Sequence, residues 1–453
     1  AASAFGDERL LIERFVEPSR HLEIQVIADS HGNAVHLGER ECSLQRRHQK
    51  VIEESPSPVV TGEMREAMGS AAVALAKQAG YVNAGTVELI AERDDPSRFY
   101  FLEVNTRLQV EHPVTEEVTG LDLVELQLRV AAGEALPLTQ AEVTRNGWAI
   151  EARVYAEDPT AGFLPSSGEV VAYREAAGVR TDSGIEEGSM VGSDYDPMLA
   201  KVVARADDRE EALERLRRAL GETVVAGPTT NVAYLRALLA RPEVRAGEMD
   251  TGLIERLGDE VAAPDAPPES AALALVTMLG EPEDDDVWSD RSGWRMQGPA
   301  WIRRKLEIDS GPVEVAIRAS DGAWDWEVDE AVGTLSYDRA LLRVGVYVNG
   351  DAVWIADPDV GPVRFAPAVG DADAAASGDA SLEAPMPGTV VQLRVEPGAT
   401  VTAGETLVVM ESMKMEISIQ SPRDGAIESV LVAAGDQVER GAVLIELTEE
   451  EDA

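Results

Sequence analysis

A multidomain α+β chain is predicted by three observations. A run of short strand-like segments is duplicated near the C-terminus, an alternating strand pair lies in the first quarter, and a tryptophan-bearing β-rich stretch follows a proline-rich linker between them. With 453 residues, 44% of them hydrophobic, the chain can support roughly two to four domains, each with its own core.

The duplication is the firmest of the three. Pro385, Gly388, Val395, Gly398, Val401, Gly404 and Leu407 recur 37 residues later as Pro422, Gly425, Val432, Gly435, Val438, Gly441 and Leu444. Matches at one offset mark an internal repeat. Each half holds β-branched runs cut by glycines, such as Thr389-Val390-Val391 and Thr406-Leu407-Val408-Val409, which read as strand, turn, strand. Two such halves related by a pseudo-twofold make a small flattened barrel or sandwich, and the segment joining them is forced to the surface. Lys414 lies in that segment, within Met410-Glu411-Ser412-Met413-Lys414-Met415-Glu416. Methionines fill apolar gaps well, so an ordinary lysine beside core filler is the bland reading. The repeat favours a lysine displayed to carry a cofactor.

In the first quarter, Gly85-Thr86-Val87-Glu88-Leu89-Ile90 and Arg98-Phe99-Tyr100-Phe101-Leu102-Glu103-Val104-Asn105 alternate as strands around a polar, proline-containing turn. Glu88 and Glu103 then approach one another, and Asn105 shares the face of Glu103. Paired carboxylates repel unless a cation lies between them, and an all-oxygen set suits Mg²⁺ or Mn²⁺ bridging nucleotide phosphates. Taken alone, two glutamates more often lie on a solvated face. The run that follows, Asn105-Thr106-Arg107-Leu108-Gln109-Val110-Glu111-His112-Pro113, concentrates charged and amide groups beside them.

Between these regions, Ala262-Ala263-Pro264-Asp265-Ala266-Pro267-Pro268 has linker composition. A short helix is expected at 269–280. Strands are expected at Trp301–Ile308, Val313–Ile317, Trp324–Val328, Leu341–Val348 and Ala352–Ala356, making an antiparallel module whose tryptophans serve as core or interface. Asp371–Asp379 is read as a flexible tether, and about 17 residues at ~3.3 Å each span ~55 Å when extended.

Composition removes several function classes. A formal charge of −43 argues against nucleic acid, whose phosphates demand a basic face. Lysine occurs only at positions 50, 77, 201, 305 and 414, so basic charge is almost wholly arginine. The single cysteine, Cys42, allows no intramolecular disulfide and fits a reducing compartment. No apolar run approaches the ~18 residues of a membrane span, and the start lacks a basic-then-apolar signal. A cytoplasmic protein without membrane association is expected.

Residues 383–448 resemble the biotin carboxyl carrier domain, whose signature Glu-Ala-Met-Lys-Met surrounds a lysine biotinylated by a separate ligase; Ser412 stands here where the signature has alanine. The related lipoyl domain shares the double repeat but sets its lysine in Asp-Lys-Ala, so Met413 and Met415 favour biotin. The stretch Glu39–Lys50, the run Asn105–Pro113, Arg20-His21-Leu22-Glu23-Ile24-Gln25, Glu151-Ala152-Arg153 and Tyr195-Asp196-Pro197-Met198 resemble the biotin carboxylase domain, an ATP-grasp fold, over most of residues 1–256.

That resemblance implies a role for each matching residue. Glu88, Glu103 and Asn105 match metal ligands. Glu13 and Val16 match the strand segment that hydrogen-bonds adenine, and His21, Gln45 and His48 match residues around the nucleotide. Lys50, Arg107, Gln109 and Val110 match the bicarbonate pocket, Glu111 the general base, and Arg153 the group that steadies charge on biotin's ureido oxygen. In isolation an arginine or glutamate is more often a surface ion pair; the joint pattern carries the reading.

The expected organisation is a partial ATP-grasp biotin carboxylase at 1–256, a β-barrel contact domain at 257–366, a linker at 367–382 and the flattened β-sandwich biotinyl domain at 383–448. The middle region resembles by position the domain that contacts the carboxyltransferase in acyl-CoA carboxylase α-subunits, of the methylcrotonyl- or propionyl-CoA kind. Covalent biotin, ATP, Mg²⁺ or Mn²⁺, bicarbonate, a biotin protein ligase and a separate carboxyltransferase β-subunit in a hetero-oligomer are implied. A complete biotin carboxylase begins with an α/β subdomain and a glycine-rich lid that do not occur before Ala1, so an N-terminally truncated chain, inactive alone, is expected. The alternative is a non-catalytic biotin-acceptor scaffold with a carboxylase remnant.

Overall fold

The computed structural model describes residues 8–10, 12–192, 195–261, 265–280, 299–308, 311–341, 344–368, 381–384, 388–412, 415–438 and 441–448. Met413, Lys414, the tether 371–379, Pro385 and linker residues 262–264 lie outside that set.

The first unit is built on an eight-stranded antiparallel sheet. Its strands are β1 (Ser19–Ala28), β2 (Ala34–Arg46), β3 (Gln49–Ser55), β4 (Asn83–Glu92), β5 (Phe99–Asn105), β6 (Trp148–Tyr155), β7 (Arg180–Ser183) and β8 (Met198–Ala206), in the order β7-β8-β6-β3-β2-β1-β4-β5. All ten residues of β1 are buried. Alternation along it separates two environments. Leu22, Ile24 and Val26 pack with Val87 and Leu89 of β4 and with Met68 and Ala72 of α1 (Gly62–Ala79). His21, Glu23 and Gln25, one residue out of phase, join a polar network.

Helix α1 begins at Thr61, whose side chain accepts from the Met64 amide at 3.2 Å, and stops at Gly80 in the left-handed region at φ 63°. A Cβ on Gly69 would fall 2.4 Å from the His36 ring, so only glycine lets α1 lie this close to β2. Ile150 and Val202 of β6 and β8 meet Leu213 and Leu216 of α2 (Arg209–Glu222) and Leu235 and Leu238 of α3 (Val232–Ala240) in a large apolar core.

The turn from β1 to β2 is tied by Asp29, which accepts from the amides of His31 and Asn33 at 2.9 Å, from Asn33 Nδ2 at 2.8 Å and from the Leu136 amide at 2.8 Å. Burial alone would push its carboxyl up, but these donors outweigh it and hold it at about 2. Its stabilisation is therefore full above the unfolded carboxyl range near 4 and is lost as pH falls toward 2. Asp29→Asn is expected to lower stability at neutral pH by about 1–3 kcal/mol and to flatten the acid limb below pH 4, as read by urea unfolding across pH. An unchanged limb would contradict this.

The second unit wraps seven strands around α4 (Pro268–Leu279): β9 (Ile302–Ile308), β10 (Gly311–Ser320), β11 (Ala323–Val328), β12 (Ala331–Leu335), β13 (Gly345–Asn349), β14 (Ala352–Asp357) and β15 (Gly361–Pro367), ordered β12-β11-β10-β9-β15-β14-β13. Leu273 and Leu275 of α4 pack on Val315, Trp326, Val353 and Phe365. Among the described residues β12 and β13 are not bonded to one another, so this is an open half-barrel. The strand expected from Leu341 is corrected: Tyr337–Leu341 is helical, with the Ala340 amide bonded to the Ser336 carbonyl, and the strand begins at Gly345. A one-turn helix is too short for its 3.6-residue period to be visible in the sequence.

A seam joins the two units. Ala172, Val224 and Ala226 pack against Ala352, Trp354 and Ala356, and Arg236 pairs with Asp359 at 3.0 Å.

The third unit is a sandwich of two four-stranded sheets. One holds Ser381–Glu383, Val443–Leu447, Gly425–Val430 and Thr400–Val401, and the other Met415–Gln420, Thr406–Ser412, Gly388–Leu393 and Gln437–Val438. Gly388–Leu393 and Gly425–Val430 begin 37 residues apart, as do Thr400–Val401 and Gln437–Val438, and members of each pair fall in opposite sheets. That exchange is the pseudo-twofold the repeat predicts. Leu407 and its repeat mate Leu444 are both fully buried in the shared core. Ser412 pairs with Met415 across the two strands that flank Lys414.

Candidate active site

The polar faces of the large sheet converge on one buried node. His21 and Glu23 come from β1, Arg40 and Cys42 from β2, Lys50 and Glu53 from β3, Glu88 from β4 and Arg153 from β6. Gln109 and Glu111 come from the segment that leads out of β5, ending where the helix His112–Thr119 starts. Strand pairing sets the register: Glu23 lies opposite Glu88, and Glu88 opposite Glu103.

Lys50 is central. Its Nζ donates to Glu111 Oε1 at 2.7 Å, to Glu88 Oε1 at 3.3 Å and to Glu23 Oε1. Burial works against the ammonium, yet the surrounding anions raise its pKa. Arg153 donates to Glu111 Oε2 at 2.9 Å and to Glu53 Oε1 at 2.5 Å. Glu111, 2% exposed, is thus held by one cation on each oxygen.

Glu88 collects four partners. His21 Nε2 lies 2.9 Å from its Oε2, while Asn105 Nδ2 at 2.7 Å and Gln109 Nε2 at 2.8 Å join Lys50 on Oε1. Burial would raise the Glu88 carboxyl, but the His21 hydrogen bond and Lys50 hold it at about 2, so it stays ionised. Glu103 is exposed at the rim, where Asn105 Nδ2 reaches it at 3.4 Å.

Beneath these lies Arg40, fully buried, donating to Glu23 at 2.9 and 3.1 Å, to Gln25 and Gln109 at 2.7 Å, to Thr115 at 3.1 Å and to Thr86 at 3.2 Å. Burial raises the Glu23 carboxyl, and Arg40 with Lys50 more than reverses it.

Gln45 and Lys50 are register partners on β2 and β3. The connection between them is a two-residue hairpin turn that carries Arg47 at φ 48° and exposed His48 at φ 67°. Other expected residues lie outside the node. Arg107 is exposed and donates to the Leu108 carbonyl at 3.3 Å. The Val110 carbonyl accepts from Lys201 at 2.8 Å. The strand expected around Glu13 and Val16 is corrected: the described residues of 12–16 have no regular structure, and β1 begins only after Pro18. Glu13 is exposed and Val16 half-buried, and among the described residues this segment joins no sheet. A cavity of about 680 Å³, bordered by His112, Glu116, Arg180 and Arg205, includes none of Lys50, Glu88, Glu111 or Arg153.

Sequence reading passed over Glu23, Arg40, Glu53 and Glu151 as participants. The signal was present in His21-Leu22-Glu23-Ile24-Gln25, where charged and amide side chains occupy every second place of a strand whose other places are apolar.

Comparison with known proteins agrees along the whole chain. Residues 1–139 match the carbamoyl-phosphate synthase L chain ATP binding domain, 151–256 the biotin carboxylase C-terminal domain, 266–367 the BT domain of the methylcrotonyl-CoA carboxylase α-subunit, and 380–447 the biotin-requiring enzyme family. The mitochondrial methylcrotonoyl-CoA carboxylase subunit alpha of Mus musculus is 39% identical over 488 residues, covering 100% of this chain and 68% of the mouse protein. The propionyl-CoA carboxylase alpha chain of Ruegeria pomeroyi is 40% identical, covering 98% of this chain and 72% of its own. The biotin carboxylase domain of Hydrogenobacter thermophilus 2-oxoglutarate carboxylase, solved with MgADP and bicarbonate, superposes with a TM-score of 0.56 at 41% identity over 58% of each chain. The chain therefore spans about two thirds of the curated relatives' length and less than two thirds of that solved domain.

The expectation of a cytoplasmic protein is overturned, since the mouse, rat and human relatives are mitochondrial proteins. A single thiol and the lack of a spanning run do not distinguish one reducing aqueous compartment from another. These relatives are named as α-subunits or α chains, the designation of one member of a hetero-oligomer. With an ATP-grasp biotin carboxylase region and a biotinyl sandwich in one polypeptide, this chain belongs to the biotin-dependent acyl-CoA carboxylase α-subunit family, related to the methylcrotonyl- and propionyl-CoA carboxylase α chains.

Proposed function

We propose that this chain is the part of an acyl-CoA carboxylase α-subunit that activates bicarbonate with ATP and presents biotin on Lys414 to a carboxyltransferase β-subunit, after a biotin protein ligase has attached the cofactor. The observation that carries this reading is the clamp on Glu111, whose two oxygens are taken by Lys50 at 2.7 Å and Arg153 at 2.9 Å, beside the ionised Glu88.

Bicarbonate is a poor electrophile and must be phosphorylated before it can give up its carbon, so the site has to gather cations around anions. Lys50 supplies one such cation. Arg107, Gln109 and Val110 complete the bicarbonate pocket by family pattern, with Arg107 approaching from the exposed rim. Glu111 takes the proton of bicarbonate. Arg153 steadies negative charge on the ureido oxygen. His21, Gln45 and His48 border the nucleotide, while Glu13 and Val16 meet adenine largely through backbone groups.

Glu88, Glu103 and Asn105 would hold Mg²⁺ or Mn²⁺. The donor set fits: an ionised carboxylate directly opposite a second one across β4 and β5, with an amide whose oxygen and nitrogen exchange by a flip. The ion supplies charge neutralisation at the transferring phosphoryl group. Bound biotin supplies the ring nitrogen that accepts the carboxyl group.

Residues 1–256 are assigned to the carboxylase, 257–366 to the half-barrel that meets the β-subunit, 367–382 to the linker and 383–448 to the carrier. Lys414→Arg is expected to abolish biotin attachment, read by streptavidin blotting after co-expression with a biotin protein ligase. A wild-type chain that stays unlabelled beside a ligase active on another acceptor would overturn the proposal.

A further inference from the structure

Behind Arg153 lies a second pair of acids that the proposed chemistry does not use. Glu53 of β3 stands directly opposite Glu151 of β6, and both are fully buried. Like charges in opposed cross-strand positions repel, and without water to screen them two carboxylates cannot both stay ionised. Three of the four oxygens, Glu53 Oε2 and both of Glu151, have no hydrogen-bond partner. The fourth, Glu53 Oε1, takes Arg153 at 2.5 Å.

The nearby cations are committed elsewhere. Lys201 gives its ammonium to the Val110 carbonyl at 2.8 Å and to Asp182 at 3.1 Å. Lys50 is shared among Glu23, Glu88 and Glu111. A buried acid without a partner is costly, and one proton resolves two faults at once. It cancels a charge, and it turns one orphaned acceptor into a donor for the orphaned oxygen opposite.

We propose that Glu53 and Glu151 hold one proton between them, directly or through one water, and that the ionised end, Glu53 Oε1, is a positioning group for Arg153. The proposal rests on the reading of Arg153 given above. Burial pushes Glu53 up to about 7 and Glu151 well above the carboxylate range, which puts the proton on Glu151 first.

The arrangement has a use. Arg153 carries two carboxylate partners, and a proton on Glu111 cancels the charge that pairs it with the guanidinium. Glu53 is walled in on its other side by Glu151, so it keeps the guanidinium aimed while Glu111 works.

The test uses the full-length α-subunit, with any segment that precedes Ala1, assembled with its partner subunit. Glu53→Gln is expected to lower kcat for biotin carboxylation by roughly tenfold or more while KM for ATP stays within about twofold, and Glu53→Asp to recover part of the loss. Infrared difference spectra at about pH 8 are expected to show a protonated-carboxyl stretch in the wild type that Glu151→Gln removes. The spectrum stands even if a Glu53 variant fails to fold. The inference is overturned if no such band is lost, if Glu53→Gln keeps more than half the rate, or if KM for ATP rises in step with the fall in kcat. A wild-type holoenzyme without bicarbonate-dependent ATP cleavage would sink the functional reading instead, independently of these variants.

Discussion

Arg40→Met is expected to remove about 3–5 kcal/mol of folding stability, the cost of taking one member out of a buried, hydrogen-bonded ion pair. Arg40 has no solvent access and joins five side chains from β1, β4 and the segment around Gln109 and Thr115. Methionine fills a similar volume but strips Glu23 Oε2 of both its donors, leaving Lys50 on Oε1, and strands the acceptors on Gln25 and Gln109. Replacing the whole group by apolar residues could be neutral; removing one member is not. Denaturant unfolding of the wild type and variant, read by tryptophan fluorescence, measures the difference. A shift below about 1 kcal/mol would mean that water reaches the node and satisfies the acceptors that Arg40 leaves.

Glu111→Gln is expected to reduce bicarbonate-dependent ATP cleavage and biotin carboxylation in the holoenzyme by about 10²–10⁴-fold, the usual range for a lost acid–base group. Glutamine keeps the shape but takes no proton, and its one amide oxygen can accept from Lys50 or from Arg153, with its NH2 turned to the other cation. KM for ATP should change little, because Glu111 touches Lys50 and Arg153 and none of His21, Gln45 or His48. Retention of more than half the wild-type rate would remove Glu111 from the chemistry and leave it a structural counter-ion.

What could be read in advance followed periodicity. The Glu88 and Glu103 strands alternate cleanly around a turn, and their pairing is what the structure has. The 37-residue offset foretold a small barrel or sandwich with a pseudo-twofold, and the structure has the sandwich, with the repeated strands in opposite sheets. Arg40 escaped notice because an arginine in a strand ordinarily reads as surface; only the surrounding acids and amides, brought in from distant segments, make its burial affordable. Glu53 and Glu151 were hidden for the same reason, since their opposition depends on β3 pairing with β6 across about a hundred residues of chain. At Leu341 an apolar β-branched run overrode a helix of a single turn. Around Val16 the strand that the resemblance implies is irregular chain in the structure.

The seam between Ala226 and Trp354 bears on how far the carrier can travel. Because it ties the half-barrel to the carboxylase, the carrier's mooring point is the end of β15, not the proline-rich stretch near residue 265. From Ala368 to Ser381 the chain has 13 steps, a contour on the order of 45 Å. On the proposed assignment of 367–382 as the linker and of Lys414 as the biotin site, that contour bounds how far from the end of β15 the biotin can act, enlarged only by the carrier itself. The proposal then requires a partner subunit to dock with its own active site within that reach of the half-barrel.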